Sequence, residues 1–349
     1  SFVFLILLSG YLSYKARSDQ WMVWKENKHV TYYDNKPMLS TTDGAYFIHI
    51  AALINSKNSI LSQTEKRFYP EFNTNYRLKN NLVLLEKPSY FEIPLLSYII
   101  SWFSKLFNND FLLTSNFLIP FMACLTCVSI SMLFIAMGFG FEGVIAGAGA
   151  SLSQSILVRT SIGRVDTDLL NIGFLYLILT LMYLALRARN VKVSFLLISL
   201  SGFSNFLFCW WYQKPGFLIP FLLTIIVINY YYKTTIKNNI LHILLFTLFS
   251  GPLFALKSIS NLLPFIQQVF FPPNKDVTSN ALFFPDTWNT VTELQKLNLQ
   301  DYIKLISGQG PEWVTIVGSI GFLLFVISNY RKSLILIIPL IFAFLGFFE

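Results

Sequence analysis

The run Phe111–Gly138 contains no charged side chain and is longer than the roughly 18 apolar residues that cross a hydrocarbon core of about 30 Å as a helix. Asp168–Leu186 and Trp313–Tyr330 meet the same test. Segments of this kind exclude an ordinary soluble domain, and the whole chain agrees, since 54% of its residues are hydrophobic and only 13% are charged. We read about nine crossings: Ser1–Tyr14, Phe111–Gly138, Val144–Val158, Asp168–Leu186, Val193–Trp210, Phe217–Tyr232, Ile240–Leu256, Trp313–Tyr330 and Ser333–Phe348. The expected fold is therefore an all-α polytopic membrane protein with two long extracytoplasmic loops, 15–110 and 257–312. Loops of that length are usually functional. Within the first, Asp43–Ile54 and Glu92–Phe107 read as helices lying along the membrane interface.

A formal charge of +8 invites a nucleic-acid reading, but the Lys and Arg residues form no dense basic stripe, so nucleic acid is not an expected partner. The membrane surface is. The 35 Phe suit lipid-facing surfaces and interfacial belts. Cys124 and Cys127, two residues apart within a span, read as packing residues between helices rather than as a metal or redox pair. The chain opens on Ser1 inside an apolar run and closes on Glu349 as another ends, so it reads as a fragment.

Short-loop charges set the orientation. Arg187, Arg189, Lys192, Lys233, Lys237, Arg331 and Lys332 share one side, which is then cytoplasmic. By parity both long loops, the Arg159–Thr167 turn and the Tyr212–Gly216 turn lie on the other. Of the 18 Asp and Glu, all but Glu142 and Glu349 fall in outer segments, and four stand apart by position.

Asp166 and Asp168 sit where an outer turn meets a span, a costly place for two carboxylates unless a cation offsets them. Their oxygens suit a hard divalent ion such as Mg²⁺ or Mn²⁺, although Asp168 alone also suits a helix start. Asp43 heads a helix in the first outer loop, and Glu293 lies in the second. Three separate outer segments thus each present an acid to one face. Arg159 and Arg164 flank the acid pair and suit either charge compensation at the interface or recognition of a diphosphate. Tyr212 stands at the mouth of an outer turn.

In these residues the chain resembles the catalytic subunit of oligosaccharyltransferase, most closely the bacterial single-subunit PglB type. The likeness rests on Ser40-Thr-Thr-Asp43-Gly44-Ala-Tyr, on Arg159-Thr through Gly163-Arg-Val-Asp166-Thr-Asp168-Leu, on Trp210-Trp211-Tyr212, and on Thr290-Val-Thr-Glu293 with Ile306-Ser-Gly308 beyond. It covers most of the chain and implies a GT-C type glycosyltransferase architecture over residues 1–349. The resemblance implies that Asp43, Asp166, Asp168 and Glu293 surround Mn²⁺ or Mg²⁺ with Arg159 close by, and that Tyr212 touches the lipid-linked sugar. It further implies a polyprenyl-pyrophosphate-linked oligosaccharide as donor and the Asn amide of an Asn-x-Ser/Thr sequence as acceptor. The expected setting is the bacterial inner membrane, with a single subunit working on its periplasmic face.

The chain departs from that family in three ways. No Trp-Trp-Asp is present, and the C-terminal soluble domain that carries it in the family is expected to be missing, together with a later Arg. The stretch from Tyr212 to Glu293 is shorter than the family pattern. Leu305 stands where bacterial enzymes that demand an acidic residue near the acceptor Asn place an Arg, which implies a relaxed sequon, with Lys304 as a neighbour. Rival readings are another polyprenyl-phosphate-sugar-dependent GT-C glycosyltransferase, a transporter of lipid-linked glycan, and a catalytically dead structural subunit.

Overall fold

The computed structural model describes residues 2–56, 93–212, 218–232, 234–256 and 311–344. Glu293, Leu305 and the second long loop up to Gly310 lie outside the described residues, as do 57–92 of the first. Among the described residues the fold is all-α apart from one hairpin. Helix α1 spans Phe2–Glu26 and α2 spans Lys28–Thr31. Strands β1 (Tyr32–Tyr33) and β2 (Lys36–Pro37) pair antiparallel, and their turn residues Asp34 and Asn35 sit at φ 49 and 60, a conformation that short polar side chains tolerate. There follow α3 (Thr42–Asn55), α4 (Leu95–Ser104), α5 (Phe111–Ala136), α6 (Gly140–Leu152), α7 (Gln154–Arg159), α8 (Asp168–Arg187), α9 (Val191–Tyr212), α10 (Leu218–Tyr231), α11 (Ile236–Phe249), α12 (Glu312–Ser328) and α13 (Tyr330–Phe344).

Among the described residues, three helices are long and apolar enough to cross a membrane: α5, α8 and α9. Shorter apolar helices, among them α10, α11 and α12, accompany them. The ends of α5 show why it starts and stops where it does. Asp110 caps it by accepting from Leu113 N–H at 2.9 Å. At the other end Gly138, at φ +94, closes a reversal in which Phe139 N–H reaches Phe134 C=O and Gly138 N–H reaches Ile135 C=O, both at 2.9 Å.

Two expectations need correction. The first apolar helix does not end at Tyr14, and the loop does not begin at Lys15: α1 runs on to Glu26. One stripe of it packs on neighbours as far as Arg17, because Ser9, Ser13 and Arg17 recur every four residues and all three are buried. Val144–Val158 is not one helix. α6 breaks at Ser153, whose ψ of 145 is extended, and α7 restarts after it. α3 and α4 pack on each other and on α5, and α4 buries its serines while Trp102 stands outward, 67% exposed. Ser97 Oγ donates to Phe47 C=O at 3.0 Å, and Ser101 Oγ donates to Asn55 Oδ1 at 2.7 Å.

Helices α5 and α6 approach almost to backbone contact, since a Cβ on Gly147 would fall 2.1 Å from Ser131 Oγ and 2.6 Å from Cys127 C=O. Small residues permit such approach between helices that lipid does not drive together. Cys127 is buried in that seam and Cys124 half-buried, in keeping with a packing role. Two larger cores result. One, built from α5, α8, α9, α10 and α11, includes Ile178, Met182, Phe208 and Phe221. The other joins α3, α4, α5 and the start of α8 through Phe47, Leu96, Ile119, Ile162, Val165 and Trp211.

Candidate functional site: the Thr160–Asp168 turn

The turn between α7 and α8 is anchored by two side chains that leave it for the core. Ile162 and Val165 are essentially fully buried, which leaves Arg164 and Asp166 only half-buried between and beside them. The turn's backbone is then tied down by four neighbouring segments. Ile162 N–H donates to Gln20 Oε1 at 3.0 Å, from α1, and Gly163 N–H donates to Asn116 Oδ1 at 2.7 Å, from α5. Ser40 N–H donates to Gly163 C=O at 2.9 Å, and Trp211 Nε1–H, from α9, donates to Thr167 C=O at 2.7 Å. Gly163 sits at φ +83, and a Cβ there would fall 2.4 Å from the Trp24 ring. Both facts call for glycine.

Beneath the turn lies Arg17, 0% exposed. Its guanidinium donates to Thr160 Oγ1 (2.6 and 3.2 Å), to Ser13 C=O and Oγ (3.1 Å each), and to Ser151 C=O (2.9 Å) and Oγ (3.5 Å). Ser151 is in the last turn of α6, so the break at Ser153 and the buried arginine explain each other: a helix end exposes carbonyls that need donors. Thr160 immediately follows Arg159, so this clamp also sets where Arg159 emerges.

The acids stand on this platform. Asp166 Oδ1 accepts from Thr167 N–H at 2.6 Å. Its carboxyl is pushed above the ordinary carboxylate range, first by burial, then by the charges of Asp168 and Asp43, against a smaller opposing pull from the Thr167 N–H and Arg164. Asp43 is the second residue of α3 and is exposed. The adjoining Gly44 lies against the turn, since its Cβ position is 3.3 Å from Val165 Cβ. The first loop and the α7–α8 turn therefore deliver carboxylates to one place.

Asp168 is already engaged. Its Oδ2 pairs with Arg159 Nη1 at 2.7 Å and lies 3.9 Å from Arg164 Nη2, and its Oδ1 accepts from Asn171 Nδ2 at 3.3 Å. A cavity of about 70 Å³ opens beside it, lined by Thr126, Ile156, Arg159, Thr160, Asp168, Asn171 and Ile172. Two buried atoms here have no hydrogen-bond partner, Arg164 Nε and Asn171 Oδ1.

Oxygen-only donors that repel one another fit a hard divalent cation in chemistry. Among the described residues, no group of three or more His, Cys, Asp and Glu could hold a metal ion. Of the expected ligands, Asp168 and Asp43 both act on Asp166 through their charge without the three closing into a metal-holding group, and Glu293 lies outside the described residues. Arg159 and Arg164 both reach Asp168 as their positions suggest. Tyr212 ends α9 half-buried, its ring stacked on Phe208 with centroids 6.2 Å apart, at the seam where both cores meet.

Sequence reasoning missed the residues that hold the turn: Arg17, Gln20, Trp24 and Asn116. Asn116 carried a usable signal, being a fully buried amide inside an otherwise apolar span. Arg17 and Gln20 carried none once the first helix was taken to end at Tyr14. No known protein family and no curated protein matches the chain.

Proposed function

We propose that the chain is the membrane part of an oligosaccharyltransferase, moving a glycan from a polyprenyl-pyrophosphate donor to the Asn side-chain amide of Asn-x-Ser/Thr sequences. The observation that carries this reading is that Asp43, from the first long loop, lies within electrostatic reach of Asp166, two residues before Asp168. Residues from two outer segments far apart in sequence bring their charges to one half-buried turn, with Arg159 paired to one of them. Around it the proposal places nine crossings of GT-C type in a bacterial inner membrane, with the acids on the periplasmic face and a single subunit at work.

In this reading Asp43, Asp166, Asp168 and Glu293 hold Mn²⁺ or Mg²⁺. Bound there, the cation stabilises negative charge as the pyrophosphate leaves the anomeric carbon. The chain's own residues do the rest. Asp43 and Glu293 accept hydrogen bonds from the acceptor amide N–H groups, which weakens conjugation of that nitrogen with its carbonyl and makes it nucleophilic. Arg159 and Arg164 offer guanidinium donors to the diphosphate. Tyr212 lies beside the sugar, and Leu305, in place of a cationic residue, leaves the sequon relaxed. Attack opposite the leaving group inverts the anomeric centre.

The test is transfer from a lipid-linked oligosaccharide to a fluorescent Asn-x-Thr peptide by the full-length protein in detergent with Mn²⁺. Asp166→Asn and Glu293→Gln should each lower transfer by at least about a hundredfold, the scale of losing an electrostatic contact to a departing anion. Undiminished transfer in both variants would sink the reading. A donor carrying a monophosphate that works while the pyrophosphate donor does not would move the chain to the rival class of GT-C enzymes.

A further inference from the structure

The end of the bundle away from the Thr160–Asp168 turn carries its own array of side chains. Helix α8 starts at Asp168 and ends at Arg187, and its 20 residues hold those ends about 30 Å apart, the depth of a hydrocarbon core. At the far end Arg187 Nη1 donates to Tyr183 Oη at 2.5 Å, and its guanidinium lies 5.4 Å from the centre of that ring. Tyr232 is within electrostatic reach of both. Tyr231, at the end of α10, stands perpendicular to two rings, Tyr232 at a centroid separation of 5.5 Å and Tyr330 at 6.3 Å. Arg331 Nε donates to Tyr330 Oη at 3.2 Å, its guanidinium 5.7 Å from the centre of that ring. Lys332 Nζ lies 4.7 Å from the centre of Phe139. Rings and cations from α8, α10, α13 and the α5–α6 turn thus form one arc.

What the arc lacks is an anion. Among the described residues the ion pairs belong to Lys15, Arg159 and Arg164, so Arg187, Arg331 and Lys332 have no carboxylate partner. Glu142 is the only described acid at this end, and it joins none of them. Arg187 and Arg331 are exposed and Lys332 is half-buried. A cation laid against an aromatic ring is held in position while much of its charge stays unanswered. Tyrosine favours the headgroup level of a bilayer, and guanidinium N–H groups match phosphate oxygens. We propose that this arc is a binding site for the headgroup of an anionic phospholipid in the leaflet at that end, with Arg187, Arg331 and Lys332 meeting its phosphate. The site does not depend on the reaction assigned to the acid turn.

Lys192 and Lys237 supply the control, being exposed cations at the same end that rest on no ring among the described residues. The experiment places the full-length protein in phosphatidylcholine nanodiscs containing a trace of spin-labelled phosphatidylglycerol or spin-labelled phosphatidylcholine. Electron paramagnetic resonance then reads the protein-bound fraction of each label. Wild type should bind the phosphatidylglycerol at least about fivefold more tightly, the contribution of one cation at a membrane surface. Arg187→Gln combined with Arg331→Gln should abolish that preference. Lys192→Gln combined with Lys237→Gln removes the same charge and should keep it. Arg187→Lys combined with Arg331→Lys should keep most of it. Equal loss in the two glutamine pairs would mean a diffuse surface field and would overturn the site, as would a wild type without preference. A loss in the lysine pair as large as in the arginine-to-glutamine pair would trace the effect to disturbed packing and overturn it as well.

Discussion

Helix α9 carries a buried polar network near each end, about 25 Å apart at 1.5 Å per residue, and the two are built on opposite plans. At its start, Ser194 Oγ donates to Ala185 C=O at 2.6 Å and lies 2.9 Å from His242 Nε2. Asn229 Nδ2 donates to Asn239 Oδ1 at 3.0 Å and approaches His242 Nδ1 at 3.4 Å. These side chains bond to one another and tie α9, α10 and α11 together, with Asn229 Oδ1 left without a partner among the described residues. At its end, Trp211 and three other segments bond to the backbone of the Thr160–Asp168 turn instead. The difference is what a structural network and a working site ask of their polar groups. The first consumes its side chains on one another. The second is held through its backbone from outside, so that its carboxylates bond within the turn and its flanking helix ends instead of holding it in place.

The comparison can be broken most severely at Gly163. Gly163→Ala puts a side chain at φ +83 and 2.4 Å from the Trp24 ring, a combined strain and overlap on the order of 3 kcal/mol or more. Thermal unfolding in detergent should show the largest fall of any substitution considered, and Mn²⁺ binding should go with it. Next in size is Asn116→Ala, which leaves the Gly163 N–H without its 2.7 Å acceptor. An orphaned buried donor costs about 1–3 kcal/mol, and because the turn is what loosens, Mn²⁺ affinity should fall together with stability.

His242→Ala sharpens the contrast from the other side. It should cost about 1–2 kcal/mol through the lost contacts to Ser194 and Asn229 and the space left by the buried ring, yet leave Mn²⁺ affinity where it was. A drop in metal affinity of the same size as that in Asn116→Ala would show that the two networks are not independent. The smallest effect concerns pH. The carboxyl of Asp166 is raised in the folded state, so the folded protein binds that proton more tightly than the unfolded chain. Without metal, stability should be fullest below the ordinary carboxylate range and decline as pH rises through the elevated value. Asp166→Asn should flatten that part of the profile, and a melting series in a metal-chelating buffer would read it. A profile unchanged by the substitution would remove Asp166 as its source.

How much of this was legible beforehand depends on which physical signal each residue carries. Long apolar runs announced α5, α8 and α9, because the length needed to cross lipid has few other meanings. Asp43, Asp166, Asp168, Arg159 and Arg164 were legible as charges in costly places. Three features were not. Arg17 and Gln20 look like the polar end of a short helix, and only the approach of α6 and α7 makes them interior. Nothing in the sequence marked Ser97, Ser101 and Ser104 as the buried residues of α4, where small hydroxyls allow α3 to come close and then bond to it. The break at Ser153 was hidden because a helix end inside an apolar run is visible only through the arginine that satisfies its carbonyls.

Of the three residues that accept from Arg17, two lie 134 and 143 positions further along the chain. While the protein is being made, α1 emerges long before Ser151 or Thr160 exist, and a guanidinium without those oxygens must keep its head in water. Helix α1 therefore cannot take its final seat until α6 and α7 have arrived to receive it. The α7–α8 turn, whose place depends on the same clamp, is completed in that same late event. The order of synthesis and the order of assembly run in opposite directions at this point, and the acid-bearing turn is finished only after both ends of the clamp are in hand.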